Sequence, residues 1–126
     1  MENKDSLSTE ISWNAYMVKK TVRALREVNN QNLKSILETA RDLILEKMQE
    51  QMHEAEGMGI DVPMQDFHEA ELQAYKSMKE EYELALNGAD DILVLDENPI
   101  PPNELRSFIT SLDEIIEYIE ARLLNL

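Results

Sequence analysis

The sequence predicts an all-α protein, an antiparallel bundle of three to four helices. Apolar residues recur at three- and four-residue steps along most of the 126 residues, as they do on the buried side of helices. Only three Gly and four Pro are present, too few for a fold built on tight β-turns. Cysteine is absent, which excludes disulfides, thiolate zinc sites and cysteine nucleophiles. The length suits one domain, so we expect residues 1–126 to form a single helical unit.

The first two predicted helices cover about residues 9–28 and 33–56. Ser8 or Thr9 can cap the first helix, which leaves residues 1–7 as an expected flexible N-terminus. The polar run at 29–32 then interrupts the apolar pattern, because Asn side chains compete with the helical backbone for hydrogen bonds. A turn at this run separates the two helices, whereas an uninterrupted backbone gives one long kinked helix of roughly 72 Å. Both alternatives remain open from the sequence.

The third predicted helix covers about residues 62–87, with Asp61 as its N-cap. Residues 88–102 are expected to form an extended, Pro-containing connection. Within it, the run from Ile92 to Leu95 has a strand-like composition, but we find no second such run for it to pair with. A last helix is predicted over about 103–126. Four helices of similar length can bury their apolar sides together, with the connection as one long crossover.

The last helix carries an unbroken heptad seam. Its members alternate spacings of four and three residues: Leu105, Ile109, Leu112, Ile116, Ile119, Leu123 and Leu126. Ile at position a with Leu at position d is typical of two-stranded parallel coils, which favours a homodimer. Phe108 and Ile115 fall at position g and widen the apolar stripe, as in a helix packed against two neighbours of its own chain. The seam is therefore either bundle core or a self-association surface.

The charge is divided unevenly along the chain. The net charge is −14, but residues 1–47 carry eight basic and seven acidic residues, which leaves residues 48–126 with four and nineteen. Direct nucleic-acid binding is disfavoured, since it needs a basic surface. The basic cluster, defined as Lys19, Lys20, Arg23 and Arg26, suits an acidic partner or the acidic face of a second copy. The acidic part also suggests an alternative function, a nucleic-acid mimic that occupies the basic site of a DNA- or RNA-binding protein.

Two similar tetrads suggest a metal site as a further alternative. His53, Glu56, His68 and Glu71 sit at His-x-x-Glu spacing near the same end of one predicted helical hairpin, and His and carboxylate side chains bind divalent metals. Such a site would suit a metal-dependent helical-bundle enzyme. The simpler interpretation is that these side chains are exposed to solvent at the ends of helices, because Ala and Glu are ordinary helix formers. We expect no catalytic residue, no cofactor and no bound metal.

The favoured hypothesis is a non-catalytic interaction or regulatory protein. Candidate partner-binding residues are the basic cluster, Trp13, Met58 and Met64 at a Met-rich hairpin end, and five residues of the seam (Leu105, Ile109, Leu112, Ile116 and Ile119). Adaptors, assembly chaperones, antitoxin or immunity proteins and mobile-element inhibitors share this profile. We see neither a signal peptide nor a membrane span, so we expect protein partners, a homodimer, a cytoplasmic location and no membrane contact.

Overall fold

The protein is all-α, with four helices that pack in pairs. A computed structural model describes residues 4–88, 94–95 and 98–126. The helices are α1 (Lys4–Glu27), α2 (Gln31–Met58), α3 (Met64–Leu86) and α4 (Pro102–Leu124). Two short strands, β1 (Val94–Leu95) and β2 (Asn98–Pro99), lie between α3 and α4.

The first three helices share one apolar core. Helix α1 packs against both α2 and α3, and α2 runs antiparallel to α3, since Gln49 contacts Tyr75 while the earlier Arg41 contacts the later Ser77. The buried members of the core come from all three helices and from the α2–α3 loop: Leu7, Ile11, Ala15, Val18, Val22, Leu45, Met48, Met52, Ala55, Ile60, Phe67, Ala70 and Ala74. Small Ala residues on each helix allow the three backbones to approach closely.

Helix α1 begins five residues earlier than the sequence predicted. Residues 4–7, expected to be flexible, are helical, and Leu7 is buried in the core. The reason is that Leu7 and Ile11 are four residues apart and extend the buried stripe by a further turn. Trp13, a candidate partner-binding residue, is exposed and points away from the core. Residues 1–3 of the predicted flexible N-terminus lie outside the described residues.

The polar run separates α1 from α2, so the alternative of one long kinked helix is wrong. Residues 28–30 are not helical, and the side chain of Asn30 accepts a hydrogen bond from the backbone N–H of Leu33 at 3.0 Å. This is an N-cap, which supplies a partner to an amide that has none within the helix. The chain reverses at this point and α1 lies along α2.

The α2–α3 loop confirms one predicted helix end and corrects the next start. Gly59 adopts the left-handed conformation at φ 67° and the N–H of Ile60 donates to the carbonyl of Ala55, as expected of a Gly that ends a helix. Helix α3 begins at Met64 behind Pro63, which makes no side-chain capping bond. Asp61 is therefore not its N-cap. Pro63 fixes the backbone at the start of α3 and takes the place of a capping side chain.

Helix α4 packs against α3 alone among the described elements. The two run antiparallel, since Lys79 pairs with Asp113 and the earlier Lys76 with the later Glu120. The expected second neighbour is not found, and the connection joins adjacent helices and is not a crossover. The seam is the α3-facing side of α4: Leu105, Leu112, Ile116 and Ile119 are buried, and Ile109 is half-buried.

The connection contains one element that the sequence analysis missed. Val94 and Leu95 pair antiparallel with Pro99 and Asn98 respectively. We had expected the strand-like run to remain unpaired, because Asn-Pro does not have the composition of a strand. Ladder hydrogen bonds involve the backbone, however, and a short edge strand tolerates Pro. Residues 89–93 and 96–97 of the connection lie outside the described residues.

Removal of the Asn30 cap should destabilise the protein. We expect Asn30→Ala to lower the free energy of unfolding by about 1 kcal/mol, because the amide of Leu33 loses its partner. Asn32→Ala is the matched control, since Asn32 is exposed within the first turn of α2 and Ala is the better helix former. Urea denaturation of both variants measures the difference. Equal effects of the two substitutions would contradict the capping role.

Candidate functional site

The outer side of the α1–α2 pair exposes large apolar side chains. We call this surface the hairpin face and define it as Trp13, Tyr16, Leu33, Ile36 and Leu43. Ile36 and Leu43 are 64% and 61% exposed, and their separation of seven residues places them along one side of α2. Trp13 on α1 is 61% exposed. Because α4 packs on α3, no described helix covers this surface.

A cleft between α1 and α2 lies at the aromatic end of the hairpin face. Trp13 and Tyr16 lie together on α1, with ring centroids 5.7 Å apart. Trp13 also borders a cleft of about 330 Å³ between α1 and α2, whose other wall includes Lys47. Lys47 lies one turn beyond Leu43 on α2, so the aliphatic row of α2 continues from the wall of this cleft along the helix.

The structure divides the basic cluster between two sides of α1. Lys19 is held by α3, because its Nζ lies 3.0 Å from Oε2 of Glu69. Lys20 lies over the ring of Tyr16, 5.5 Å from the centroid, at the edge of the hairpin face. Arg23 is exposed, and Arg26 borders a separate cavity at the end of the bundle. Only Lys20 and Arg23 are therefore available to a partner on the outer side.

The other predicted partner-binding residues contribute less exposed surface. Met58 is exposed at the end of α2, whereas Met64 is half-buried and packs against the core. The five seam residues face α3, which matches the intramolecular alternative and leaves them covered within one chain. Met48 and Met52 are buried too, so the Met-rich end is mainly core packing.

The two His-x-x-Glu tetrads lie in different environments. His53 and Glu56 are exposed, whereas His68 and Glu71 are buried and paired, with Nδ1 of the His 3.0 Å from Oε1 of the Glu. Throughout residues 4–88, 94–95 and 98–126, no three His, Cys, Asp or Glu side chains come close enough to hold a metal ion. The four residues of the proposed metal site are therefore not brought together, and that interpretation is wrong for the described chain.

The buried His68–Glu71 pair belongs to a polar network between α2 and α3. Nε2 of Gln49 donates to Oε2 of Glu71 and to the hydroxyl of Tyr75, at 2.9 Å each. Burial, more than any other cause, raises the pKa of Tyr75. Nε2 of His68 is buried and has no hydrogen-bond partner in the described chain. The network fixes the register of α2 on α3, since its members are buried or half-buried and hydrogen bonds are directional.

A second polar cluster lies at the opposite end of α2. Arg41 is 1% exposed, and its guanidinium donates to Asp42 at 2.9 Å, Ser77 at 3.0 Å and Glu81 at 3.1 Å. Beside it is a cavity of about 310 Å³ between the end of α1, the start of α2 and the end of α3. A buried guanidinium is stable only when paired, so this cluster ties α2 to α3.

Glu38 borders the same cavity and holds a proton near neutral pH. Burial raises its pKa first, and the hydrogen bond and negative charge of Glu81 raise it further, to about 8. Lys34 and Arg41 act in the opposite direction. Two carboxyl groups in hydrogen-bond contact share one proton, because both cannot be ionised at low cost. The cluster can therefore bind or release a proton in the physiological range.

Sequence reasoning missed both the hairpin face and the Arg41 cluster. The sequence analysis did not separate Ile36 and Leu43 from the core residues of α2. The usable signal was their position around the helix, because Leu43 is two residues from the buried Leu45 and therefore lies on nearly the opposite side. Arg41 gave a weaker signal, since it interrupts an apolar stripe at a buried register position. Glu38 gave none, because its neighbour Glu81 is 43 positions away in sequence.

Comparison with known proteins leaves the function open. No family model, curated protein or solved structure matches the chain detectably. The four helices of the described chain all fall short of the length and apolar character that a membrane crossing requires. The functional argument therefore depends on the surfaces and clusters of this chain alone.

The proton on Glu38 should make stability depend on pH. The folded pKa of about 8 exceeds the ordinary value of 4.5, so this group's stabilising contribution is complete below pH 4.5 and is lost as the pH rises toward 8. We expect Glu38→Gln to remove this loss, and so to be more stable than the parent at pH 8 but not at pH 4.5. Urea denaturation at a series of pH values measures it.

The control for this experiment is Glu54→Gln, which makes the same chemical change at an exposed position of α2. A Glu38→Gln variant whose stability relative to the parent is the same at pH 4.5 and pH 8 would show that Glu38 is not protonated in the folded chain.

Proposed function

We propose that the chain is a non-catalytic interaction protein that binds another protein through the hairpin face. The observation that carries this proposal is the exposure of five large apolar side chains on one side of α1 and α2. Single exposed apolar residues are common on protein surfaces, but a contiguous group on adjacent helices is typical of interaction sites.

The composition of the hairpin face supports protein binding. Aromatic side chains are enriched in protein interfaces, and Trp and Tyr often dominate the binding energy. Here Trp13 and Tyr16 stand beside aliphatic side chains and a groove between two helices. Lys20 lies at the edge of this apolar group. A partner helix with an apolar side can lie in such a groove, since helix-in-groove recognition needs anchors at helical spacing.

The biological role within this class is a finer proposal. An adaptor, an assembly chaperone, an antitoxin or immunity protein and a mobile-element inhibitor all act by presenting a fixed surface to one partner. The rigid α1–α2–α3 core suits each of them, because it holds the hairpin face without the partner and so lowers the entropic cost of binding.

Substitution on the hairpin face should abolish partner binding while the chain stays folded. We expect Leu43→Lys to lose a captured partner, because a charge in a desolvated apolar contact is costly. Leu43 is mostly exposed in the free chain, so stability should change by only about 0.5 kcal/mol or less. Leu124→Lys makes the same change at a site on α4 that is 87% exposed. Cross-linking capture with mass spectrometry compares the two.

A partner that binds the parent and the Leu43→Lys variant equally would contradict the use of the hairpin face. Circular dichroism of both variants separates loss of binding from loss of fold.

A second candidate function, the nucleic-acid mimic, is supported by the outer side of α4. Glu114 and Glu117 are exposed on this helix, and within the described residues neither takes part in an ion pair. Carboxylates fixed on a rigid helix attract a basic partner over a long range. This proposal places the partner on the opposite part of the molecule from the hairpin face.

The mimic predicts a different response to salt and mutation. Binding to a basic DNA-binding protein should be competed by DNA, should weaken steeply between about 50 and 200 mM salt, and should weaken further in Glu114→Gln/Glu117→Gln. Leu43→Lys should leave it unchanged. Fluorescence anisotropy of labelled DNA displaced by the chain measures the competition. Association that is insensitive to salt would exclude mimicry.

A further inference from the structure

We propose that a second copy of this chain occupies the hairpin face, in a two-fold symmetric dimer in which α1 of each copy packs on α2 of the other. This inference rests on the proposed function, since it takes the hairpin face as a protein-binding surface and names the occupant. Charged side chains flank the apolar group, and their levels along the two helices determine which of them can meet across a dimer interface.

The two helices of the hairpin face carry opposite charges on their exposed sides. Helix α1 exposes Lys20 and Arg23 beside its aromatic pair. Helix α2 exposes Glu46 and Glu50 beside Leu43, with Lys47 as the one base among them, so this stretch is acidic on balance. No salt bridge of the described chain engages any of these charged groups. The exposed surface therefore has a basic edge and an acidic edge with apolar side chains between them.

The antiparallel packing of α1 on α2 sets the level of each charge. Asn14 donates to Gln51 at 2.7 Å, and Trp13 lies beside Lys47 in the same cleft. Lys20 is seven residues beyond Trp13 on α1, which is roughly 10 Å further along the helix axis. Because α2 runs the other way, this displacement brings Lys20 to the level of Leu43, one turn from Glu46. The basic and acidic edges thus overlap along the helix axis.

A two-fold axis parallel to the helices matches these edges. Rotation about such an axis keeps each residue at its own level and places α1 over α2 of the partner. Lys20 then faces Glu46 of the partner subunit, and the aromatic pair lies over the partner's α2 near the partner's Leu43. Both contacts occur twice, because the interface is isologous.

The other two-fold arrangement is less favourable. An axis perpendicular to the helices, within the plane of the interface, places α1 on α1 and α2 on α2. Lys20 and Arg23 of one copy then lie over α1 of the other and cannot reach Glu46 or Glu50 on α2, so the opposite charges of the two helices stay unpaired. The distribution of charge on the hairpin face therefore selects the arrangement in which α1 meets α2. A closed dimer also covers the apolar side chains of the hairpin face on both copies.

Charge exchange tests the arrangement directly. We expect the parent chain to be a dimer by light scattering after size exclusion, and Lys20→Glu and Glu46→Lys to weaken dimerisation tenfold or more, because each variant places like charges together twice. An equimolar mixture of the two variants should recover the dimer, since residue 20 of either variant then faces an opposite charge at residue 46 of the other. The double variant should recover it as well.

Trp13 supplies an independent readout. It is the only tryptophan of the chain, so its emission reports on the hairpin face alone. The emission maximum should shift to shorter wavelength as the parent is concentrated, because dimerisation removes the indole from water. Arg106→Glu and Glu104→Lys are the matched controls, with the same charge changes at exposed positions of α4. Neither control should alter the dimer or the emission.

The outcomes separate this inference from the proposed function. A monomeric parent at about 100 μM, or a dimer that survives both single variants, overturns the inference. So does a mixture of the two variants that fails to associate, because the α1-on-α2 arrangement requires recovery. The proposed function survives each of these results if the parent chain captures a different protein and the Leu43→Lys variant does not. It fails only if neither self-association nor capture depends on the hairpin face.

Discussion

Three residues, from Val28 to Asn30, keep α1 and α2 from continuing as one helix, and the remaining architecture depends on this reversal. The Asn30 cap supplies a hydrogen bond at the start of α2 that a continuous helix would have supplied from its own backbone. Once the chain has reversed, α1 lies along α2 and α3 can cover the apolar sides of both. The same reversal places the outward sides of α1 and α2 next to each other, which creates the hairpin face.

The sequence predicted the positions of the helices better than it predicted which helices pack against each other. Periodicity located four helices because buried residues recur at helical spacing, and Gly59 and Pro101 ended or preceded helices for local backbone reasons. The start of α1 was missed because Leu7 continues a stripe that we began only after Ser8 or Thr9. Nothing local indicates which helix α4 contacts. Phe108 and Ile115 widen its apolar stripe, yet they remain partly exposed, and Phe108 contacts only the ring of Tyr82 among the aromatic side chains described.

The candidate site was less predictable, because its residues are defined by position in space. Helix α2 carries two apolar rows, and the sequence does not say which one faces the core. The buried row contains Leu45, Met48 and Met52, while Ile36 and Leu43 lie outside it. Arg41 illustrates the same limit. A charged side chain is usually exposed to solvent, but the guanidinium of Arg41 is buried and donates hydrogen bonds to Ser77 and Glu81 of α3. Trp13 and the basic cluster of α1 were selected from the sequence, and the structure shows which of them share a side.

The attachment of α4 to a single helix has a consequence for dynamics. The other three helices each contribute to a common core, so none can leave without exposing the side chains of the other two. Helix α4 is held by one seam, and its release exposes only that seam and the matching side of α3. Local opening is governed by the contacts that break, so we expect α4 to open more readily than the three helices of the common core. Its backbone amides should then exchange with solvent deuterium through detachment of the helix, at a free energy below that of global unfolding.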